Sequence, residues 1–280
     1  MNAVFFLCGI LAIGCVLLIT VYMVGAGLPA LREIGLGSFL FGREWASTAQ
    51  DPKFGILPFI LTSVYGTAGA TLIGVPVGLL TAVFLAKVAP KKLADRVRPA
   101  VDLLAGIPSV VYGLVGMMVL LPAIRKTFDI AAGDSLLAAI IVLAVMILPS
   151  IISVSETALN AVPREYEEAS LALGATELET YFRVSVPAAK SGIAAAVVLG
   201  VGRAIGEAMA ILMVAGNVAN MPSLLSSVKF LTTAIASEMS YAAVGSLQRN
   251  ALYSIGLILF LFIMCINVIL NVFLKRNKEG

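Results

Sequence analysis

Six stretches of this chain are long and apolar enough to cross a lipid bilayer, and that pattern limits its fold more than any other feature. They lie near Val4–Val24, Leu57–Ala86, Val101–Leu121, Leu136–Val154, Gly192–Ala215 and Leu252–Leu274. A helix spanning the hydrocarbon core needs about 20 largely apolar residues. Inside lipid every backbone N–H and C=O must find its partner within the segment, so stretches of this length fold as helices. The expected fold is all-α, a polytopic membrane bundle of six transmembrane helices. It forms one domain over residues 1–280, with its core over 57–274. Only 12% of residues are charged, against about 25% in soluble domains. The first stretch has no basic residue before it and exceeds the ~7–15 apolar residues of a cleavable signal, so a retained span is expected.

Chemistry by metal or thiol finds no support. The chain has no His, and Cys8, Cys15 and Cys265 sit inside apolar runs without metal-ligand spacing. No metal site or disulfide framework is expected, and the thiols read as buried and free.

Lys and Arg in the connecting segments set the orientation. Lys87, Lys91, Lys92, Arg96, Arg98, Arg164, Arg183, Lys190, Lys275, Arg276 and Lys278 fall on one side, eleven in all. Arg32, Arg43, Lys53, Arg125, Lys126, Lys229 and Arg249 make seven on the other. The richer side is expected to be cytoplasmic, with both termini there. Two outward segments, near 25–56 and 216–250, read as irregular loops or short interfacial helices that could form an external docking surface.

Between the fourth and fifth spans lies a loop, 156–190, too polar to cross the membrane. Pro163 suits a first helical turn, Glu165, Glu167 and Glu168 suit the positive end of a helix dipole, and Gly174 suits a left-handed stop after Leu173. Thr176 with Glu179 reads as a capping box that opens a second helix, and Pro187 as its end. Ala169, Leu171, Ala172 and Leu173 give the first helix an apolar face. A compact knob with an acidic start fits a groove in a partner protein; helices lying on a membrane surface usually carry Lys and Arg instead.

Glu168-Ala169-Ser170, then Gly174, then nine residues and Val184-Ser185-Val186-Pro187 resemble the EAA loop of ABC importer permeases. That resemblance implies a coupling helix, with Glu165, Glu168, Ala169, Gly174 and Pro187 as its marked positions, seated in a separate ATP-hydrolysing subunit. The chain contains no Gly-Lys dipeptide and hence no Walker A loop to hold phosphates. No cofactor is expected in this chain; ATP and Mg would be held by the partner ATPase.

Ionisable residues inside the membrane cost a few kcal/mol each by insertion scales and are functional candidates by default. Arg203 and Glu207 lie four residues apart in the fifth span, on one helical face if the helix is continuous. The planar fork of Arg suits an oxyanion, which Glu207 could replace between binding events, and a purely structural ion pair is the alternative. Asp102 opens the third span and reads as interfacial or as a partner for a nearby Arg. Gly106-Ile107-Pro108-Ser109 marks a break or kink just beyond it, a possible gate. Gly74 with Gly78, and Gly202 with Gly206, have the small-xxx-small spacing that lets helices approach closely.

The segments AGIPSVVYGLVG at 105–116, GRAIGEAMAILMVAGN at 202–217 and FGILPFILTSVYGT at 54–67 resemble the permeases of phosphate-specific (Pst) ABC importers, the fifth span being closer to the PstC-like than to the PstA-like branch. The resemblance covers most of the chain. It implies the MetI-like architecture of type I importers, in a bacterial inner membrane. It also implies a second, PstA-like permease, a PstB-like ATPase dimer, a PstS-like periplasmic phosphate-binding protein, and a role for Arg203 and Glu207 in phosphate passage. A permease for molybdate, sulfate or phosphonate, and a membrane signalling or scaffold subunit, are the competing expectations. With no His and no Ser-Lys pair on one face, an enzyme in its own right is not expected.

Overall fold

The computed structural model describes residues 2–276, with side chains from 4 to 269; Lys278, counted above for orientation, lies outside the described residues. Helix α1 (Asn2–Ile34) leads through α2 (Leu36–Phe41) and a small antiparallel hairpin, β1 (Trp45–Ala46) and β2 (Lys53–Phe54), into α3 (Leu57–Val83), which a π-turn prolongs over Phe84–Val88. After α4 (Lys91–Gly106), a broken helix follows: α5 (Ser109–Val115), a π-turn over Gly116–Leu120 and α6 (Leu121–Phe128). The long α7 (Leu136–Asn160) precedes α8 (Arg164–Ala172) and α9 (Glu177–Thr180). A π-turn over Tyr181–Ser185 and α10 (Val186–Ala188) feed α11 (Lys190–Gly206). The chain closes with α12 (Met209–Val214), α13 (Leu231–Glu238) and α14 (Leu247–Arg276).

Among the described residues, five helical segments are long and apolar enough to span a membrane: Val4–Ile34, Leu57–Val88, Ser109–Phe128, Leu136–Asn160 and Leu247–Ile269. The segment Glu177–Ala188 meets Lys190–Gly206 at a 72° bend and supplies a sixth when the bent pair counts as one span.

Helix α7 forms the axis of the bundle. Its Ile140, Ile147 and Ile151 seat in step against Gly69, Gly74 and Gly78, so α3 and α7 run parallel at short range. A Cβ at Gly74 would lie 2.6 Å from Ile147 Cδ1, which explains one of the two small-xxx-small pairs. The other pair behaves differently. Gly202 and Gly206 have no atom within 4 Å of a would-be Cβ, so their face is open and not closed by another helix of this chain.

Helix α1 lies against α14. Ser254 Oγ donates to the Gly27 carbonyl at 2.7 Å, and Tyr22 and Tyr253 meet edge to face at 5.4 Å. Before Gly27, α1 faces mostly outward. Cys8 and Cys15, and Cys265 on α14, are therefore exposed on the outer surface of the bundle rather than buried as expected, because a membrane-facing helix turns its apolar side chains to lipid.

At the end of the bundle bearing the β-hairpin, the two segments expected as loops are tied together by a buried carboxylate. Glu238, 3% exposed, accepts the Lys229 ammonium at 2.6 Å, the Trp45 indole N–H at 3.0 Å and the Ser47 hydroxyl at 3.1 Å. Gln248 Nε2 donates to Ser47 Oγ at 3.1 Å, so α13, α14 and the hairpin share one polar node.

Candidate functional site

Two regions carry the marked residues: a pair of helix breaks within the bundle, and a small helical hairpin projecting from the end opposite the β-hairpin.

The first break follows Gly106. Pro108 has no N–H to continue the helix and pushes Ile107 into an extended conformation, φ −69° and ψ 127°. Tyr112 Oη donates to the Leu104 carbonyl at 2.7 Å, bridging the gap. The expected third span, Val101–Leu121, is thereby corrected: α4 is a separate amphipathic helix carrying Arg96, Arg98 and Asp102, and the apolar span begins at Ser109.

The second break falls at Glu207, whose ψ of 131° ends α11. The Glu207 carboxylate accepts the Ala210 N–H at 3.0 Å and its carbonyl accepts the Thr232 hydroxyl at 2.7 Å, so side chain and backbone both serve the broken ends. This corrects the expectation of one continuous helical face. The turn that would have stacked Glu207 on Arg203 is missing, and among the described residues the two form no ion pair. Arg203, half-buried in the last turn of α11, makes one long hydrogen bond, from Nη1 to Ser150 Oγ at 3.5 Å. The remaining donors of its planar fork are available to an acceptor.

Beyond the breaks the half-helices close on each other. Gly113 of α5 lies against Ala210 and Met213 of α12, with a would-be Cβ 2.9 Å from Ala210 Cα, and Gly116 lies against Val214. Gly113 facing Ala210 offsets the two breaks along the bundle by only about one helical turn. Before the breaks the surface opens: Asp102, Gly106, Pro108 and Gly206 are exposed and Ser109 is half-exposed. Asp102 accepts the Ser153 hydroxyl at 3.5 Å across a polar cavity of about 260 Å³. Arg98 spans to Glu156 at 2.5 Å and to Asp95, and among the described residues Asp102 forms no ion pair.

In the projecting hairpin, α8 is followed by Gly174 at φ +89°, a conformation that favours glycine. Thr176 and Glu179 form the expected capping box, and these bonds hold the Glu179 carboxyl below its usual range. Glu165, Glu168 and Ala169 are exposed, Leu173 is 90% exposed, and α8 has no buried residue. As expected, the helix that Thr176 opens ends near Pro187: it stops at Ala188, one residue further on, where the chain bends by 72° into α11. A π-turn over Tyr181–Ser185 and α10 carry the helix through Pro187 to that end.

Sequence reasoning overlooked one group here. Glu167 Oε1 pairs with Lys87 Nζ at 2.6 Å and accepts the buried Ser185 hydroxyl at 2.8 Å. Burial pushes this carboxyl up, but the Lys87 ammonium and the Ser185 hydroxyl together outweigh it and hold it below its ordinary value. Glu167 was one of three neighbouring acids, with Glu165 and Glu168, and nothing in the local pattern distinguished it. Replacing Gly174 with Val is expected to cost at least ~1 kcal/mol, since a β-branched residue resists positive φ. Limited proteolysis of the 164–180 region in the membrane-embedded protein should show faster cleavage; an unchanged rate would remove that strain from the account.

Residues 74–279 match the family profile described as "Binding-protein-dependent transport system inner membrane component". The chain is 42% identical over 266 residues to the probable ABC transporter permease protein YqgH of Bacillus subtilis, covering 92% of this chain and 86% of that one. It is 36% identical over 267 residues to the phosphate transport system permease protein PstC of Mesorhizobium japonicum, covering 88% and 80%. Among solved structures, one from the inward-facing MetNI methionine ABC transporter matches with a TM-score of 0.63 at 21% identity, covering 79% of this chain and 95% of that one. A chain of a bacterial ABC transporter for alginate import matches with a TM-score of 0.65 at 13% identity, covering 97% and 96%. At these identities the structural likeness shows the fold, and that fold is the ABC permease bundle expected from the sequence.

Proposed function

Because this chain belongs to the family of binding-protein-dependent transport system inner membrane components, we propose that it is the PstC-like permease of an ATP-driven importer of inorganic phosphate. Support for phosphate as the cargo comes from relatives named phosphate transport system permease protein PstC, in Mesorhizobium japonicum and in Pasteurella multocida at 33% identity over 265 residues. The observation that carries the reading is Arg203: a half-buried guanidinium beside a break in a spanning helix, its fork held by one long hydrogen bond. A tetrahedral oxyanion offers that fork two acceptors.

The chain acts as one permease domain, its core over 57–274, paired with a second, PstA-like permease against the open face of α4 and α11. The end bearing α8 and α9 faces the cytoplasm with both termini, in accord with the excess of Lys and Arg there. The loop 156–190 docks a PstB-like ATPase dimer that binds ATP and Mg, this chain having no nucleotide site of its own. A PstS-like binding protein delivers phosphate to the opposite, periplasmic end. Arg203 receives it on the path, Glu207 holds the break that exposes Arg203, and Asp102 with Gly106, Pro108 and Ser109 borders the inner opening. ATP binding and hydrolysis move α8, and the bundle alternates its access.

The test is labelled phosphate uptake by vesicles holding the whole complex, with sulfate and molybdate as competitors. Phosphate alone is expected to compete at tenfold excess. Equal or better competition by sulfate or molybdate would overturn the cargo, and normal uptake without this chain would overturn its transport role.

A further inference from the structure

We propose that Lys87, Glu167 and Ser185 act as one polar clamp that transmits displacement of the docking helix α8 into the second and fifth spans, with Glu167 as its positioning residue. The inference rests on the reading of α8 as the site where the ATPase docks.

Its basis is how α8 is attached. The helix buries no residue, and the apolar side chains at its end point outward: Leu171 is exposed, and Leu173, the residue that caps it, is 90% exposed. Apolar burial therefore does little to tie α8 to the bundle. Only Glu167 and Ser170 turn inward, and both make polar bonds to the same neighbouring segment. The Ser170 and Thr180 hydroxyls lie 2.9 Å apart, and Glu167 accepts Ser185 Oγ at 2.8 Å. That segment is itself anchored. Tyr181 and Val186 pack against Ala82, Val83, Leu159 and Val162 where the second and fourth spans end.

Glu167 also reaches Lys87 directly, at 2.6 Å. Lys87 lies in the π-turn that closes the second span, and Ser185 ends the π-turn that leads into the fifth. Inserted π-turns concentrate at functional positions in helices. One carboxylate thus joins three elements at two such turns. The pair is largely out of water, the Lys87 and Glu167 side chains being 11% and 17% exposed. An exposed pair would contribute little, whereas one this desolvated leaves an uncompensated charge when either partner is removed. Short charge-assisted bonds are also stiff and directional, as a mechanical link requires.

The experiment uses the whole importer in liposomes and compares wild type with E167Q, K87M and the exchanged double variant K87E/E167K. Three quantities are read: ATPase subunit retained on purification, ATP hydrolysed, and phosphate moved per ATP. In both single variants the ATPase is expected to stay bound and hydrolysis to stay within about twofold, while phosphate moved per ATP falls about tenfold. That loss corresponds to ~1.4 kcal/mol of lost coupling. The exchanged pair is expected to recover at least a third of the ratio. An unchanged ratio in E167Q and K87M overturns the clamp. So does a loss of ATPase in proportion to uptake, which would give these residues only the shape of the loop, and so does uncoupling that the exchange does not rescue. A wild-type complex that retains no ATPase overturns the docking reading instead, before any variant is compared.

Discussion

Arg203→Ala is expected to reduce phosphate uptake by about 100-fold or more while the chain remains in the membrane at its normal level. The magnitude follows from the fork: two hydrogen bonds from a charged donor contribute about 1.5–3 kcal/mol each, and 3 kcal/mol is already more than 100-fold. Arg203→Lys keeps the charge but offers a point donor instead of a planar fork, and is expected to lose about tenfold. Stability should change little, because the native side chain has only its long bond to Ser150 to lose. Labelled-phosphate uptake, normalised to the amount of chain in the membrane, checks both. Uptake unchanged by Arg203→Ala would take the residue off the path.

The second large effect is expected on stability, at the other end of the molecule. Glu238→Ala removes the acceptor shared by Lys229, Trp45 and Ser47 and leaves a nearly buried ammonium without its counter-charge. Breaking a buried pair from one side costs about 3–5 kcal/mol. At roughly 2–4 °C per kcal/mol for a domain of this size, the thermal midpoint in detergent should fall by about 10 °C. Removing both charges together, as Lys229→Met with Glu238→Leu, should cost less, because no bare charge remains. A single variant as stable as wild type would mean that the node does not hold the hairpin to α13 and α14.

The parts of this fold that were legible in the sequence rest on rules satisfied within a few residues. Five of the six apolar runs recur as spanning helices, the third with a later start, and the fifth run appears as part of a bent pair; Gly174 at a helix stop and Thr176 with Glu179 as a capping box recur as well, each for a local physical reason. The break at Pro108 was legible for the same reason, though the displaced start of the third span was not. That start depended on reading Lys91–Gly106 as an amphipathic helix in its own right.

The break at Glu207 was hidden, because no proline marks it. It is held by Thr232, 25 residues further on, which donates to the Glu207 carbonyl. Arg203 and Glu207 could thus be picked out by their place inside an apolar run, but their separation could not. Glu167 was hidden in the same way. Three neighbouring glutamates look alike until Lys87 and Ser185 arrive from distant segments and select one.

The seam between α1 and α14 has a consequence for how the protein is made. Its contacts join residues more than two hundred positions apart, Gly27 with Ser254 and Tyr22 with Tyr253. During synthesis the first helix enters the bilayer long before its neighbour exists. It can wait there because a helix satisfies its own backbone and its apolar sides are at home in lipid. The seam between α1 and α14 is therefore sealed only once α14 has been made, and a ribosome that stalls before α14 leaves α1 inserted but unmoored.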